Sequence, residues 1–315
     1  MKQRLRFFAE YGAVRLLVWL ARPIPWSWLP GLARGISRAA FVVIGNRRQI
    51  AARNFELAFP QTPLATRRSW EARFWENITL SVLEMLRMSW PCEEWISRSV
   101  VLENRELLDA ALRQGKGVII HTAHFDNWEL AGLTLSLAGY PIAVVGKVQK
   151  NSLLNDWHNE NRSRFGMKVI SHRKAVRESQ EHLAQGGCLA ILMDQNLYKG
   201  GVFVKFFNQW AATTTLSAFL RLKTKSPMVG VYMRRRGAKH YLRFEPVEWP
   251  QENQELSKVQ RTYNLTQYLT GLLELWIRRD PANWLWGHDR WKRSAEATPE
   301  IVAEQSGKST DRAIA

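Results

Sequence analysis

His124 and Glu129 close the ends of a short polar stretch, His124-Phe125-Asp126-Asn127-Trp128-Glu129. An imidazole is the side chain best suited to take a proton near neutral pH. A carboxylate on one of its ring nitrogens leaves the other free to act as a base. On a continuous helix this spacing would turn the two side chains by well over a right angle, so they would not face each other. They meet if His124 lies in a turn and Glu129 in the first turn of the helix that follows. The flanking residues predict that arrangement. Val118-Ile119-Ile120 follows Gly117 and reads as a short buried strand, and Leu130, Leu133, Leu135 and Leu137 support a helix from Trp128 onward. His124 then stands where a strand ends and a helix starts, the edge at which open α/β sheets bind ligands. One His and one Glu at this distance also occur by chance, so on the pair alone a structural histidine stays open. His121, inside the strand pattern, reads as structural.

Other chemistries are not advertised. The chain has no G-x-S-x-G elbow, P-loop, G-x-G-x-x-G or H-E-x-x-H. Its cysteines and histidines lack zinc spacing, and no metal or resident cofactor is expected. A base with an orienting carboxylate, without a covalent nucleophile, suits direct attack by an activated hydroxyl or amine on an already activated acyl group such as a thioester.

The chain that must position these groups has 315 residues, 46% of them hydrophobic, enough for one large core or two small ones. Its formal net charge of +17 favours an anionic partner: nucleic acid, a membrane surface or an acidic substrate. Fifteen tryptophans tilt that choice to a membrane, where the half-polar indole ring is at home, and away from nucleic acid. Cys92 and Cys188 are too few for a disulfide framework and read as free thiols in a reducing compartment.

Residues 1–45 mix basic and apolar side chains. Phe7, Phe8 and Leu16-Leu17-Val18-Trp19-Leu20 form one apolar part, and Ala39-Ala40-Phe41-Val42-Val43-Ile44 a second, beyond prolines 23, 25 and 30. Neither offers the ~20 apolar residues of a spanning helix. No cleavage site follows, so the segment is expected to be an interfacial amphipathic anchor; an ordinary pair of core helices is the alternative. Residues 46–115 read as mostly helical, with Thr62 capping a helix that starts at Pro63 and carries apolar spacing over 63–75 and again over 77–88. Strands are expected at 141–147, 167–170, 188–193, 229–233 and 241–244. Helices are expected at 151–165, ended by Gly166, and at 175–185. This alternation predicts an α/β fold, a largely parallel central sheet flanked by helices. After Lys292 the composition turns small and polar, so 293–315 reads as a disordered tail.

Ala123-His124-Phe125-Asp126-Asn127-Trp128-Glu129-Leu130 resembles the H-x4-(D/E) motif of glycerolipid acyltransferases, in the form A-H-F-x-N-W-E-L of the lipid A biosynthesis lauroyl/myristoyl acyltransferase family. Other segments are similar to that family's in the same order. Arg53-Asn54-Phe55 with Phe59-Pro60 resembles R-N-L-x-x-x-F-P, with Phe55 for Leu. Arg162 to Gly166 resembles R-x-x-x-G, and Met193-Asp194-Gln195 resembles A-D-Q with Met for Ala. Phe206-Phe207 through Thr213 resembles F-F-G-x-x-A-x-T with Asn208 for Gly, and Trp284 to Lys292 resembles W-x-W-x-H-x-R-W-K. The resemblance covers roughly 52–292, and 46–292 is taken as the acyltransferase domain.

The resemblance implies a glycerolipid-acyltransferase-like fold and transfer of a fatty acyl chain from acyl carrier protein, or from acyl-CoA as co-substrate, to a hydroxyl of an anionic glycolipid, a lipid A precursor. It places such an enzyme on the cytoplasmic face of the bacterial inner membrane. Carried onto this chain, it makes His124 the base, Glu129 its orienting carboxylate and Arg162 the group for an oxyanion or a phosphate. Arg164 should face away from the site. Asp194 and Gln195, at a strand end, either pair as scaffold or contact substrate. Thr213 caps a helix or takes a phosphate, and His288 and Arg290 are structural, phosphate-binding or both. The departures at Phe55, Met193 and Asn208 leave another glycolipid or a lysophospholipid open as acceptor. The rival from another class is a non-catalytic basic protein that binds membrane or nucleic acid.

Overall fold

The computed structural model describes residues 2–40, 45–249 and 255–307. Among the described residues nine strands run in chain order: β1 Val100–Glu103, β2 Val118–Thr122, β3 Ile142–Gly146, β4 Lys168–Ser171, β5 Cys188–Leu192, β6 Val202–Phe206, β7 Gln209–Thr213, β8 Met228–Arg236 and β9 Lys239–Pro246. Seven of them build one sheet in the order β1-β9-β8-β2-β5-β3-β4, and β6 and β7 pair as a separate hairpin. Every pairing in the large sheet is parallel except β8 with β9, whose tight connection passes through Gly237. This is the expected α/β fold with a mostly parallel sheet.

The central strands are apolar on both faces because both faces are covered. Val118 and Ile120 of β2 look into one core, with Leu130, Leu133, Ile142 and Val231. Ile119 looks into the other, with Leu189, Leu265, Leu269 and Trp276. The covering helices include α7 Trp128–Leu137, α8 Ser152–Ser163, α9 Ala175–Ala184, α10 Leu216–Thr224 and α11 Lys258–Arg279. Gly117 enters β2 at φ +62, and a β-carbon there would stand 2.5 Å from the Leu183 carbonyl oxygen, so only glycine fits this turn.

Ahead of the sheet lie α1 Lys2–Ala21, α2 Leu29–Ala40, α3 Gly45–Ala58 and α4 Leu64–Arg87. Several expectations change here. The apolar spacing read over 63–75 and again over 77–88 belongs to the single helix α4, because it runs on through Glu76 and no breaker interrupts it. The helix starts one residue after an extended Pro63, without a side-chain cap, so Thr62 does not cap it. The stretch expected to be helical to 115 holds α5 Glu93–Ser99 and α6 Glu106–Leu112 but also β1, an edge strand of four residues. Beyond Lys292 the expected disordered tail contains a short 3-10 turn at Ser294–Glu296. It also contains α12 Pro299–Ser306, capped by the Thr298 hydroxyl and packed on α11 and β6. Phe41-Val42-Val43-Ile44, most of the second apolar part, lies outside the described residues, as do 308–315. No described helix is long and apolar enough to cross a membrane. α1 instead packs against α4 and α8, and Asn151, the cap of α8, donates to the Phe7 carbonyl at 3.0 Å.

Candidate active site

β2 and β5 are parallel neighbours with Thr122 opposite Leu192. Just past both strand ends this register brings His124 beside Asp194, although seventy residues separate them in the chain. Asp194 Oδ1 lies 2.8 Å from His124 Nδ1. Its Oδ2 accepts from the His124 backbone N–H at 3.1 Å and from the Trp284 indole N–H at 2.7 Å. A carboxylate only accepts, so Nδ1 carries the proton and Nε2 keeps its lone pair. The side chain of His124 is 15% exposed and that of Asp194 only 1%, so the pair is shielded while Nε2 stays reachable. The Gln195 side-chain amide stands 3.3 Å from Nε2 and can donate to it. Burial alone would raise the Asp194 carboxyl. The charge His124 takes when protonated and the bonds from its ring, its backbone and Trp284 outweigh that and hold the carboxyl well below the ordinary range.

Glu129 does not orient His124. Its carboxylate takes the fork of Arg162, from Nε at 2.9 Å and from Nη2. Asn127 caps α7 by accepting from the Leu130 N–H at 3.0 Å, which fixes Glu129 in the first turn and points it at α8. The nitrogen it was expected to reach is already held by Asp194, and a guanidinium matches a carboxylate in two parallel bonds. Burial would raise the Glu129 carboxyl, but Arg162 outweighs it and its pKa is lowered. The ion pair forms a wall of a cavity of about 170 Å³ whose other lining includes Val14 of α1, Val82, Met85 and Leu86 of α4, Leu133 of α7 and Trp157 of α8. His158, which the sequence reading did not single out, lines the same cavity, and burial lowers its pKa.

The remaining candidates fall behind the site as supports. Arg290 is buried and donates to the carbonyls of Gln195 at 3.2 Å and Ala212 at 2.6 Å, and to the Thr213 hydroxyl at 2.6 Å. Burial brings its guanidinium down to about 10. Thr213 is the last residue of β7, donates to the Ala211 carbonyl at 2.9 Å and caps nothing; α10 starts beyond Thr215. His288 Nε2 accepts the Asn196 N–H at 2.8 Å, and burial pushes its pKa down to about 4. His121 is buried, donates from Nε2 to the Leu269 carbonyl at 2.9 Å and is likewise lowered to about 4 by burial. Arg164 turns from the site as expected, but it is engaged, donating to the carbonyls of Met88, Ser89 and Trp90 past the end of α4.

The segment 281–292 is the buckle of this scaffold. Its backbone meets the His124 loop through the Asp126 N–H to the Asn283 carbonyl at 2.9 Å and the Leu285 N–H to the His124 carbonyl at 3.1 Å. Asn54 of α3 donates to the carbonyls of Trp286 and His288 at 2.8 and 2.7 Å, which ties the Arg53-Asn54-Phe55 segment to the same buckle. On the other side, Asp126 at φ +45 is held by Arg235 at 2.8 Å, and Asn127 donates to Glu84 at 2.9 Å. Sequence reasoning missed Trp284 as a ligand of Asp194; the distance of ninety residues between them left no local signal. None of the three departures from the family pattern bonds to His124. Phe55 stacks on Trp286 at 4.1 Å, Met193 is buried, and Asn208 takes φ +60 in the β6–β7 turn, a conformation asparagine tolerates. Among the described residues no group of three or more His, Cys, Asp or Glu side chains could hold a metal ion.

Comparison with known proteins identifies the family. The model of the family described as bacterial lipid A biosynthesis acyltransferase matches residues 2–293. The lipid A biosynthesis palmitoleoyltransferase of Escherichia coli K12 is 25% identical over 283 residues, 88% of this chain and 89% of that protein. The lipid A biosynthesis lauroyltransferase of the same organism is 24% identical over 288 residues, 90% of this chain and 91% of that protein. A strand-end histidine with a buried carboxylate on one nitrogen and an open lone pair on the other, in a chain matched almost end to end, leads to one conclusion: this chain belongs to the bacterial lipid A biosynthesis acyltransferase family and is an acyltransferase.

Proposed function

We propose that this acyltransferase moves a fatty acyl chain from a thioester, carried by acyl carrier protein, to a hydroxyl of a lipid A precursor, with His124 as the general base and Asp194 as its orienting carboxylate. The observation that carries this reading is the 2.8 Å contact of Asp194 with His124 Nδ1, which leaves Nε2 as the proton acceptor. In the reaction the acceptor hydroxyl takes the place of the Gln195 amide at Nε2. Its oxygen attacks the thioester carbonyl as its proton passes to Nε2. The tetrahedral oxyanion collapses, the C–S bond breaks, and the thiolate takes the proton from the imidazolium. No covalent acyl-enzyme is required. Asp194 stabilises the imidazolium in the intermediate.

The cavity beside Glu129 is the acyl-chain site of this reading, and each methylene buried there contributes about 0.8 kcal/mol. The Glu129–Arg162 pair closes one wall of that cavity, where Arg162 meets the polar end of the donor. Lys147 and Lys292 flank Tyr198 at 5.6 and 5.4 Å in the loop beyond Gln195, a basic rim suited to an acidic carrier protein. Leu5, Phe8, Leu16, Leu17, Trp19 and Leu20 of α1 with Trp28, Leu32 and Ile36 beyond it stand exposed among arginines. Such a surface rests in a membrane interface, here the cytoplasmic face of the inner membrane. The test is transfer by the purified full chain, read by mass spectrometry of the lipid product, with acyl carrier protein and acyl-CoA donors compared. The expected result is one added acyl chain from the carrier-protein donor. Faster transfer from acyl-CoA overturns the donor assignment, and no product on any lipid A precursor overturns the acceptor.

A further inference from the structure

Phe125, the neighbour of His124 in the chain, also helps to line a second cleft of about 370 Å³, separate from the apolar cavity on the Glu129 side. Six guanidiniums line it: Arg73 of α4, Arg234, Arg235 and Arg236 at the end of β8, Arg243 of β9, and Arg279 in the last turn of α11. Asp280 is the only carboxylate in that lining. β8 is the parallel neighbour of β2, so its C-terminal end opens on the same sheet edge as His124.

Like charges at this density repel unless something holds them. The carboxylates that hold them stand outside the lining. Glu103 accepts two bonds from Arg234, at 2.7 and 3.0 Å, and stands 3.6 Å from Arg243. Glu245 accepts from Arg243 Nε at 3.0 Å and pairs with Arg279. Glu84 and Asp126, both buried, hold Arg235. Arg73 reaches Asp280 only at 3.8 Å, and no carboxylate among the described residues pairs with Arg236. The result is four guanidinium forks, of Arg234, Arg235, Arg243 and Arg279, fixed from behind, with Arg73 and Arg236 beside them on the same concave space. Rigid forks of this kind match the tetrahedral oxygens of a phosphate, and their fixation beforehand lowers the entropy lost on binding.

We propose that this arginine cleft binds a phosphate group, and that in turnover the group is a phosphomonoester of the acceptor lipid; the second clause rests on the proposed function above. The donor's chain then occupies the Glu129 side of the His124 segment and the acceptor's charged end the Phe125 side. Arg73 and Arg236 are the residues to remove, since both are exposed and neither is the partner of a buried carboxylate. The first measurement is calorimetric binding of inorganic phosphate, at constant ionic strength, to the full chain carrying His124→Ala, with and without Arg73→Ala and Arg236→Ala. The second compares the kinetics of the otherwise wild-type chain with those of the double arginine variant, on a phosphorylated acceptor and on its phosphatase-treated form. The expected result is a loss of about tenfold in phosphate affinity and a rise of about tenfold in KM for the phosphorylated acceptor alone, with kcat kept. Equal phosphate affinity in both proteins, or a KM that moves alike for both acceptors, overturns the proposal. Phosphate affinity lost without any change in KM keeps the phosphate site and overturns its assignment to the acceptor. Phosphate binding in a chain that acylates no acceptor refutes the proposed function and leaves the phosphate site standing.

Discussion

At the scale of single residues the site is a set of paired charges, and the pairs divide the work. Asp194 holds His124, the proposed base, and Glu129 holds Arg162. Glu129 and Arg162 therefore act as one unit, and their substitutions are not additive. Glu129→Ala and Arg162→Ala are each expected to lower turnover strongly, and the double variant to be no worse than either, a coupling of about 1–3 kcal/mol in a double-mutant cycle of kcat/KM. Additive losses would show that the two groups serve separate steps. His121 supports the site from beneath, and its burial has a pH signature. The imidazole is neutral in the fold with a pKa of about 4, against 6.5 when exposed. A group lowered in this way contributes its stability in full above pH 6.5, and that contribution is lost as pH falls through the interval toward 4. The shift is on the order of 3 kcal/mol. His121→Gln keeps a donor for the Leu269 carbonyl without the titration, so urea unfolding is expected to lose less stability between pH 7 and pH 4.5 in this variant than in the wild type. An unchanged pH dependence contradicts the role.

At the scale of elements, the parts that carry the site were the legible ones. β2, β5 and α7 announce themselves because apolar runs bounded by glycines and a helical leucine spacing are local signals, and they put His124 at a strand end from the sequence alone. The partner of His124 was not legible. Glu129 is near in sequence and Asp194 is not, and only the β2–β5 register decides between them. β1 escaped because four residues at a sheet edge carry too little pattern, and the β6–β7 hairpin because its strands join through Phe207 and Asn208 without a glycine to mark the turn. Thr213, His288 and Arg290, carried over from the family's segments, join the closing segment to its neighbours: Arg290 bonds to Ala212 and Thr213 of β7, and His288 to Asn196 past the end of β5. Arg164 makes the analogous joint between α8 and the carbonyls past the end of α4. Arg164→Ala should therefore lower the unfolding free energy by about 1 kcal/mol while turnover at the growth temperature is kept. Lost turnover with unchanged stability would transfer to Arg164 the part given to Arg162.

At the scale of the whole molecule, the segment that follows His124 reaches both an apolar cavity, at Glu129, and an arginine cleft, at Phe125, and the N-terminal helices add an exposed apolar surface. α1 is not a detachable anchor, because Val14 lines the cavity and the α8 cap bonds to Phe7, so its deletion would disturb the site as well as the surface. Substitution of exposed side chains separates the two. Leu16→Ser with Trp19→Ser should reduce sedimentation with anionic vesicles in high salt, where charge is screened and insertion is not. Complete release of the wild-type chain by salt contradicts insertion. The central claim is that His124, held by Asp194, takes the proton of the acceptor hydroxyl. It is tested most directly by single-turnover acyl transfer in the purified wild type, His124→Ala and Asp194→Asn, with folding checked by circular dichroism. The expected result is a fall in rate of about 10²–10⁴-fold for His124→Ala and a large fall for Asp194→Asn. Near wild-type transfer by folded His124→Ala would contradict the account.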